Sequence, residues 1–262
     1  MDKLFIIKIG GNVLDNPSAL EHFLKDFASI KGCKILIHGG GKIATKIGDQ
    51  LGIESKYVNG RRITDTATLD VVTMVYGGLV NKQIVAKLQT LHCNAMGFTG
   101  ADGNLIKATK RPVKEIDYGF VGDVISTNVN VDLLSLLLNN NTVPVFAPLT
   151  HADGSILNTN ADTIASVLAV ALSKKFDVRL IFCFEKKGVL LDVNDNGSVI
   201  RHLPKHLYEE LLQKKVFADG ILPKLENAYA AIHEGVKEVL IGEAGDLVKN
   251  IGKETDGTLI TL

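Results

Sequence analysis

The chain of 262 residues sets 29 Lys+Arg against 29 Asp+Glu, for a formal charge of zero, and is 46% hydrophobic but only 6% aromatic. That length suits one large domain or two joined lobes with a full core, and the neutral balance lacks the excess of Lys and Arg that nucleic-acid and anionic-membrane binders concentrate. Small-molecule partners are expected, with no nucleic acid and no membrane. Cys33, Cys93 and Cys183 are too far apart for a disulfide framework or a zinc site, and this fits a reducing, cytoplasmic setting. No apolar run approaches the roughly 20 residues of a membrane span. The first such run is interrupted by Lys8 and ends at Gly10-Gly11, unlike a secretion signal, so the chain reads as soluble and unprocessed.

Short apolar runs alternate with longer amphipathic ones, the pattern of successive βα units and of a largely parallel sheet covered by helices. Residues 4–9 read as a strand, 17–30 as a helix, 34–38 as a second strand and 42–51 as a second helix, with glycines after both strands. Over residues 66–91 Val71, Val75, Leu79, Val80 and Ile84 fall at helical spacing, which predicts one long helix or a pair broken at Gly77-Gly78. Recurrent Gly, Asp and Asn over 95–125 predict β-hairpins added to the sheet edge or laid over a site. A helix follows at 131–138, a strand at 143–149 and a helix at 161–172, with Asn160 as its N-cap. From Lys174-Lys175 onward the reading is a strand at 178–184, a turn at Asp195-Asn196-Gly197, helices at 204–215 and 221–234, and strands at 238–241 and 258–262. No linker, repeat or low-complexity tract separates the halves, so the class is α/β, two lobes of one sheet.

The chemistry is concentrated in two glycine turns, Lys8-Ile9-Gly10-Gly11-Asn12 and His38-Gly39-Gly40-Gly41-Lys42. In an open parallel sheet, ligands bind beyond the carboxyl ends of the strands, where glycines let backbone N–H groups approach an anion. Either turn alone is also what any tight βα connection needs. A dinucleotide fingerprint is only loosely matched: the acidic ribose partner expected about 20 residues later is replaced by Asn59-Gly60-Arg61-Arg62. A Walker loop fails as well, because Ile43 follows Gly41-Lys42. Lys8, near the end of an apolar strand, is costly there unless an anion meets it, although a snorkelling stem is the bland alternative. Lys224 alone reads as a solvated helix position, and Asp162 as a first-turn carboxylate favoured by the helix dipole. Jointly they fit phosphoryl transfer, which needs positioning and cations more than covalent chemistry. The seven histidines form no recognisable nucleophile motif, and no general base is assigned.

Over nearly its whole length the chain resembles the amino acid kinase family, in the branch that acts on N-acetylglutamate. The resemblance rests on Ile7-Lys8-Ile9-Gly10-Gly11, His38-Gly39-Gly40-Gly41, Asn59-Gly60-Arg61-Arg62-Ile63-Thr64, Gly78-Leu79-Val80-Asn81-Lys82, Asn158-Thr159-Asn160-Ala161-Asp162 and Asp219-Gly220-Ile221-Leu222-Pro223-Lys224, in that order. It implies a three-layer αβα sandwich with a largely parallel central sheet. Residues 1–174 would form an N-lobe carrying the acyl-amino-acid site and dimer contacts, and 175–262 a C-lobe carrying the nucleotide. It implies a phosphotransferase that uses ATP with Mg²⁺ to phosphorylate the side-chain carboxylate of N-acetyl-L-glutamate, on the route to arginine or ornithine. Lys8 and Lys224 would stabilise the migrating phosphoryl group, and Asp162 would organise them. Gly10, Gly11 and Gly41 would offer backbone donors, while Gly40, Gly41, Arg62 and Asn158 would hold the acylated amino acid. Glu185, Lys186, Lys187, Gly188, Val189, Leu190, Val216, Phe217 and Ala218 would meet the nucleotide, whose phosphates would carry the metal, with no protein metal site.

Two departures from the family pattern stand out. Where relatives usually have Ser-Asp-Val-x-Gly, this chain has Phe184-Glu185-Lys186-Lys187-Gly188, which alters the nucleotide contacts and adds positive charge. Arg61 replaces a commonly apolar residue and suggests a longer acyl group such as succinyl, although adjacent residues of an extended segment face opposite ways. A non-catalytic amino-acid sensor on the same fold ranks low, because Lys8, Asp162 and Lys224 are all retained. The resemblance further implies a homodimer, joined through the helix at 66–91. Arginine insensitivity is also expected, since the additional N-terminal helix of arginine-inhibited relatives does not fit before the first strand.

Overall fold

The computed structural model describes residues 1–217, 221–252 and 254–262. The first strand, β1 (Lys3–Ile9), buries Leu4, Ile6, Ile7 and Ile9 completely, as a strand covered on both faces requires. A short helix, α1 (Gly11–Asp15), leads into α2 (Pro17–Ser29). This second helix starts where the Asn16 side chain accepts from the amides of Ser18 and Ala19, with Pro17 at its first position. It ends on a buried cation. Lys34, in β2 (Cys33–Ile37), is 5% exposed and donates to the carbonyls of Phe27, Ala28 and Ile30 at 2.8, 2.9 and 2.7 Å, so an ammonium satisfies the negative end of the helix dipole.

The turn into α3 (Gly41–Gln50) requires glycine: Gly40 has φ +144°, and a Cβ there would lie 3.0 Å from the Tyr76 ring. A small hairpin, β3 (Tyr57–Val58) with β4 (Arg61–Arg62), precedes α4 (Thr66–Val72), whose Thr68 amide donates to Asp65 at 2.8 Å. The expected long helix forms without a break. A π-helical stretch, Thr73–Val80, contains Gly77-Gly78 and continues into α5 (Asn81–Thr90), so the glycines widen the helix instead of ending it.

After β5 (Ala95–Phe98) come the paired β6 (Thr109–Lys110) and β7 (Gly122–Asp123), α6 (Val131–Asn139), β8 (Val143–Phe146) and the hairpin of β9 (Leu149–Ala152) with β10 (Ser155–Asn158). The predicted helix α7 (Ala161–Leu172) follows, with Asn160 accepting the Thr163 amide at 3.0 Å. The remaining elements are β11 (Asp177–Phe184), β12 (His202–Pro204), α8 (Lys205–Gln213), α9 (Leu222–His233), β13 (Glu238–Glu243), α10 (Leu247–Asn250) and β14 (Thr258–Thr261).

The chain packs as two compact units, Met1–Ile35 with Ala165–Leu262, and Leu36–Ile164. In the first, the strand order is β12–β14–β13–β11–β1, parallel throughout except where β14 runs antiparallel to β13. In the second, β2, β8 and β5 are parallel. The class is therefore α/β with a largely parallel sheet flanked by helices. The expected division after residue 174 differs from this packing, because β1 pairs with β11 from Lys3↔Asp177 to Ile9↔Cys183 and so joins the later half. Three local readings are also corrected. Of residues 95–125, Ala95–Phe98 enters the parallel sheet beside β8, and only β6–β7 make a hairpin. The strand predicted over 143–149 stops at Phe146, and β9–β10 follows. His202–Pro204, read as loop and helix start, pairs with β14. No helix among the described residues is long and apolar enough to cross a membrane.

At the end of β2, His38 is fully buried, with Nδ1 2.7 Å from the Gly39 carbonyl and Nε2 3.1 Å from Asn81 Nδ2, which also donates to the Val145 carbonyl at 2.9 Å. An amide nitrogen only donates, so Nε2 accepts and the proton sits on Nδ1. Burial lowers the His38 pKa from 6.5 to about 4, against the smaller raising effect of the Gly39 contact.

Two stability predictions follow from these buried groups. Lys34→Met leaves three carbonyls short of a charged donor and should lower the unfolding free energy in urea by about 2 kcal/mol. For His38, the unfolded chain takes up a proton near pH 6.5 but the folded one only near pH 4, so its contribution is complete above pH 6.5 and lost as pH falls toward 4. The full effect approaches about 3 kcal/mol. Urea midpoints at pH 7 and 4.5 should therefore drop less in His38→Gln than in the wild type.

Candidate active site

Because β1 and β11 run side by side in the same direction, their carboxyl ends deliver their last residues to one place. Lys8 stands opposite Phe182 and Ile9 opposite Cys183, so the Gly10-Gly11 turn lies beside Phe184 and Glu185. The first turn of α9 adds Lys224. Together with Asn12, Val13 and Cys183 these residues line one cleft of about 220 Å³. Lys8 is only 8% exposed on an otherwise apolar strand. Both ammonium groups lie over one ring, Lys224 Nζ at 3.8 Å and Lys8 Nζ at 5.9 Å from the Phe184 centroid. Two cations from opposite ends of the chain thus meet beside backbone that can approach an anion, an arrangement suited to phosphate oxygens.

Burial pushes the Cys183 thiol up to about 12, against the lowering pull of the Lys8 ammonium. It is therefore neutral near pH 7 and no nucleophile. Glu185 is the one carboxylate among the described residues lining the cleft. No group of three or more His, Cys, Asp or Glu that could hold a metal occurs among the described residues. Such a lining fits a divalent ion that brings most of its oxygen ligands with it as phosphates and water.

A second constellation lies in the unit Leu36–Ile164. Arg62 is 7% exposed and donates to Ser55 Oγ, to the Gly41 carbonyl at 2.9 Å and to Thr45 Oγ1 at 2.9 Å, with its guanidinium 4.8 Å from the Tyr57 ring centre. Thr64 Oγ1 donates to the Arg62 carbonyl at 3.4 Å and accepts from Asn158 Nδ2 at 3.0 Å. Gly41, Arg62 and Asn158 are therefore tied together through Thr64 and Thr45. Arg61 is exposed and faces the other way, lining an open cleft with Arg111, Lys114, Tyr118 and Asp123. The alternation along β4 separates it from its neighbour.

Asp162 is half-buried in the first turn of α7. Lys186 donates to Asn196 Oδ1 at 3.1 Å and Lys187 is exposed. Gly188 and Val189 are buried, with the Val189 amide donating to Thr258 Oγ1, and Leu190 forms an isolated bridge with Val199. Val216 is half-buried, while Phe217 is buried against Tyr208 at 5.6 Å. Ala218, Asp219 and Gly220 lie outside the described residues. Phe184, Thr45 and Thr64 were missed as site residues. Thr64 lies at the end of the block Asn59–Thr64 and Phe184 opens the departure over 184–188, while Thr45 carried no signal.

The model of the amino acid kinase family matches residues 3–243. The acetylglutamate kinase of Parabacteroides distasonis is 57% identical over 96% of this chain and 98% of its own length. That of Cytophaga hutchinsonii is also 57% identical, over 98% of each. The solved carbamate kinase of Giardia lamblia superposes with a TM-score of 0.71 at 13% identity, covering 99% of this chain and 98% of that one, and so shares the fold. With the convergent lysines, the glycine turns and a match across almost its whole length, the chain belongs to the amino acid kinase family.

Proposed function

We propose that the protein transfers the γ-phosphoryl group of ATP to the side-chain carboxylate of N-acetyl-L-glutamate, giving N-acetyl-L-glutamyl 5-phosphate in arginine or ornithine biosynthesis in the cytoplasm. The observation that carries this reading is the meeting of Lys8 and Lys224 in one cleft beside the Gly10-Gly11 turn. That the two relatives at 57% identity are acetylglutamate kinases supports the acceptor.

In this reading a carboxylate oxygen of the acyl amino acid forms a bond to the γ-phosphorus as the bond to the ADP oxygen breaks. Negative charge spreads over the transferred group and the leaving phosphate, and little covalent work is left to the protein. Lys8 stabilises that charge from the acceptor side and Lys224 from the donor side, while the Gly10, Gly11 and Gly41 amides donate to phosphoryl oxygens. Asp162 takes the role of organising carboxylate. Arg62, already held by Ser55, Thr45 and Gly41, offers its remaining N–H groups to the α-carboxylate, and Gly40 and Asn158 complete the grip. The nucleotide lies along Glu185, Lys186, Lys187, Gly188, Val189 and Leu190, with Val216, Phe217 and Ala218. Glu185, the carboxylate of the cleft lining, would help to hold Mg²⁺ on those phosphates, where the ion would neutralise part of their charge. Acetylation of the amine keeps the activated carboxyl from cyclising.

We further propose a homodimer that buries the helical run from α4 through α5, where Met74 is 56% and Leu79 40% exposed.

The test of the reaction is ADP release with N-acetylglutamate, glutamate and aspartate offered separately. Only the first should be turned over. Lys8→Ala and Lys224→Ala should each lower kcat about 100- to 1,000-fold with a smaller change in KM, whereas Arg62→Ala should mainly raise KM for the acyl amino acid. Undiminished kcat in either lysine variant would remove the mechanism. For the assembly, sedimentation should give a dimer for the wild type and a monomer for Met74→Glu/Leu79→Glu.

A further inference from the structure

Residues 182–184 of β11 alternate across the strand, so Phe182 and Phe184 share a face with Cys183 between them. Their rings stack with centroids 6.4 Å apart and planes 8° from parallel. Phe182 is 1% exposed and anchors the stack in the core, while the half-buried Phe184 carries it into the cleft that Lys8 and Lys224 line. The face of an aromatic ring carries negative electrostatic potential, and an ammonium within about 6 Å of the centroid is attracted to it. Both lysines meet that criterion on the same ring, Lys224 closely at 3.8 Å and Lys8 at its limit at 5.9 Å.

Two ammonium groups in one cleft repel each other, most strongly before any phosphate arrives between them. A ring face has no net charge, so it attracts each cation without reducing the charge they present, and it adds to whatever else holds them.

We propose that Phe184 is a positioning residue, whose π face gathers the Lys224 and Lys8 ammonium groups so that incoming phosphates meet a ready-made pair of cations. The inference rests on the kinase reading above. In it Phe184 touches neither the transferred group nor the acceptor but acts through the lysines.

The test varies the electron density of the ring at nearly constant shape. Phe184 is replaced in the full chain by 4-fluoro-, 3,5-difluoro- and 3,4,5-trifluorophenylalanine, and conventionally by Leu and Tyr. ATP affinity is measured by calorimetry, kcat and KM by ADP release, and folding by thermal melting. Affinity and kcat/KM for ATP should fall stepwise with each added fluorine while the melting temperature stays constant. Phe184→Leu should lose about tenfold in kcat/KM, and Phe184→Tyr should retain most of it. A flat fluorine series overturns the proposal even if Phe184→Leu is impaired, since packing alone would then account for the loss. The kinase reading is judged separately, by wild-type turnover of N-acetylglutamate and its loss in Lys224→Ala. If that turnover is absent, the fluorine dependence of ATP affinity still decides what the ring does.

Discussion

The parallel pairing of β1 with β11 is the constraint from which the site follows. Seven consecutive residues of the first strand align with the strand that opens the later half, from Lys3↔Asp177 to Ile9↔Cys183. Because both strands run the same way, their carboxyl ends fall at one edge, and whatever follows them is held within reach. One end supplies Lys8 and the flexible glycine turn. The other supplies the Phe182–Phe184 stack and Glu185. A one-residue slip would turn every side chain of β1 to the opposite face, so the same register that buries Leu4, Ile6, Ile7 and Ile9 also sets the direction of Lys8.

Buried cations that serve the fold are held by protein acceptors: Lys34 by three carbonyls, and Arg179 by Glu238 at 2.7 Å together with the carbonyls of Asn250 and Gly252. Lys8 and Lys224 converge over an aromatic face at the lining of a cleft. Arg62 lies between these cases, anchored by Ser55, Thr45 and Gly41 yet with donor capacity left for an anion, since a guanidinium carries five N–H groups. The fixed geometry costs ordering entropy during folding, before any substrate binds, and this is the physical content of preorganisation.

The neutral His38 performs a related task in the second glycine turn. One ring nitrogen holds the Gly39 carbonyl and the other accepts from Asn81, whose amide also holds β8 through Val145. The histidine beside the glycines is thus a buried structural group, neutral near pH 7 with its Nδ1 proton directed at the Gly39 carbonyl.

Taken alone, the amino-acid order determined several elements whose cause is local. Apolar runs ending in Gly10 and Gly40, the Asn160 cap and the helical spacing from Val71 to Ile84 each announce themselves within a few residues. Family blocks added the separate roles of the two lysines and the candidate Arg62. Tertiary structure decided what depends on partners distant in the chain: that β1 packs with the later half, that Ala95–Phe98 joins the sheet, that Arg61 and Arg62 look in opposite directions, and that a ring at position 184 lies under both lysines. Hydrophobic periodicity reports which face of an element is buried but not against what. Strand order and the meeting of charges are set by non-local pairing and packing, which no short window of residues contains.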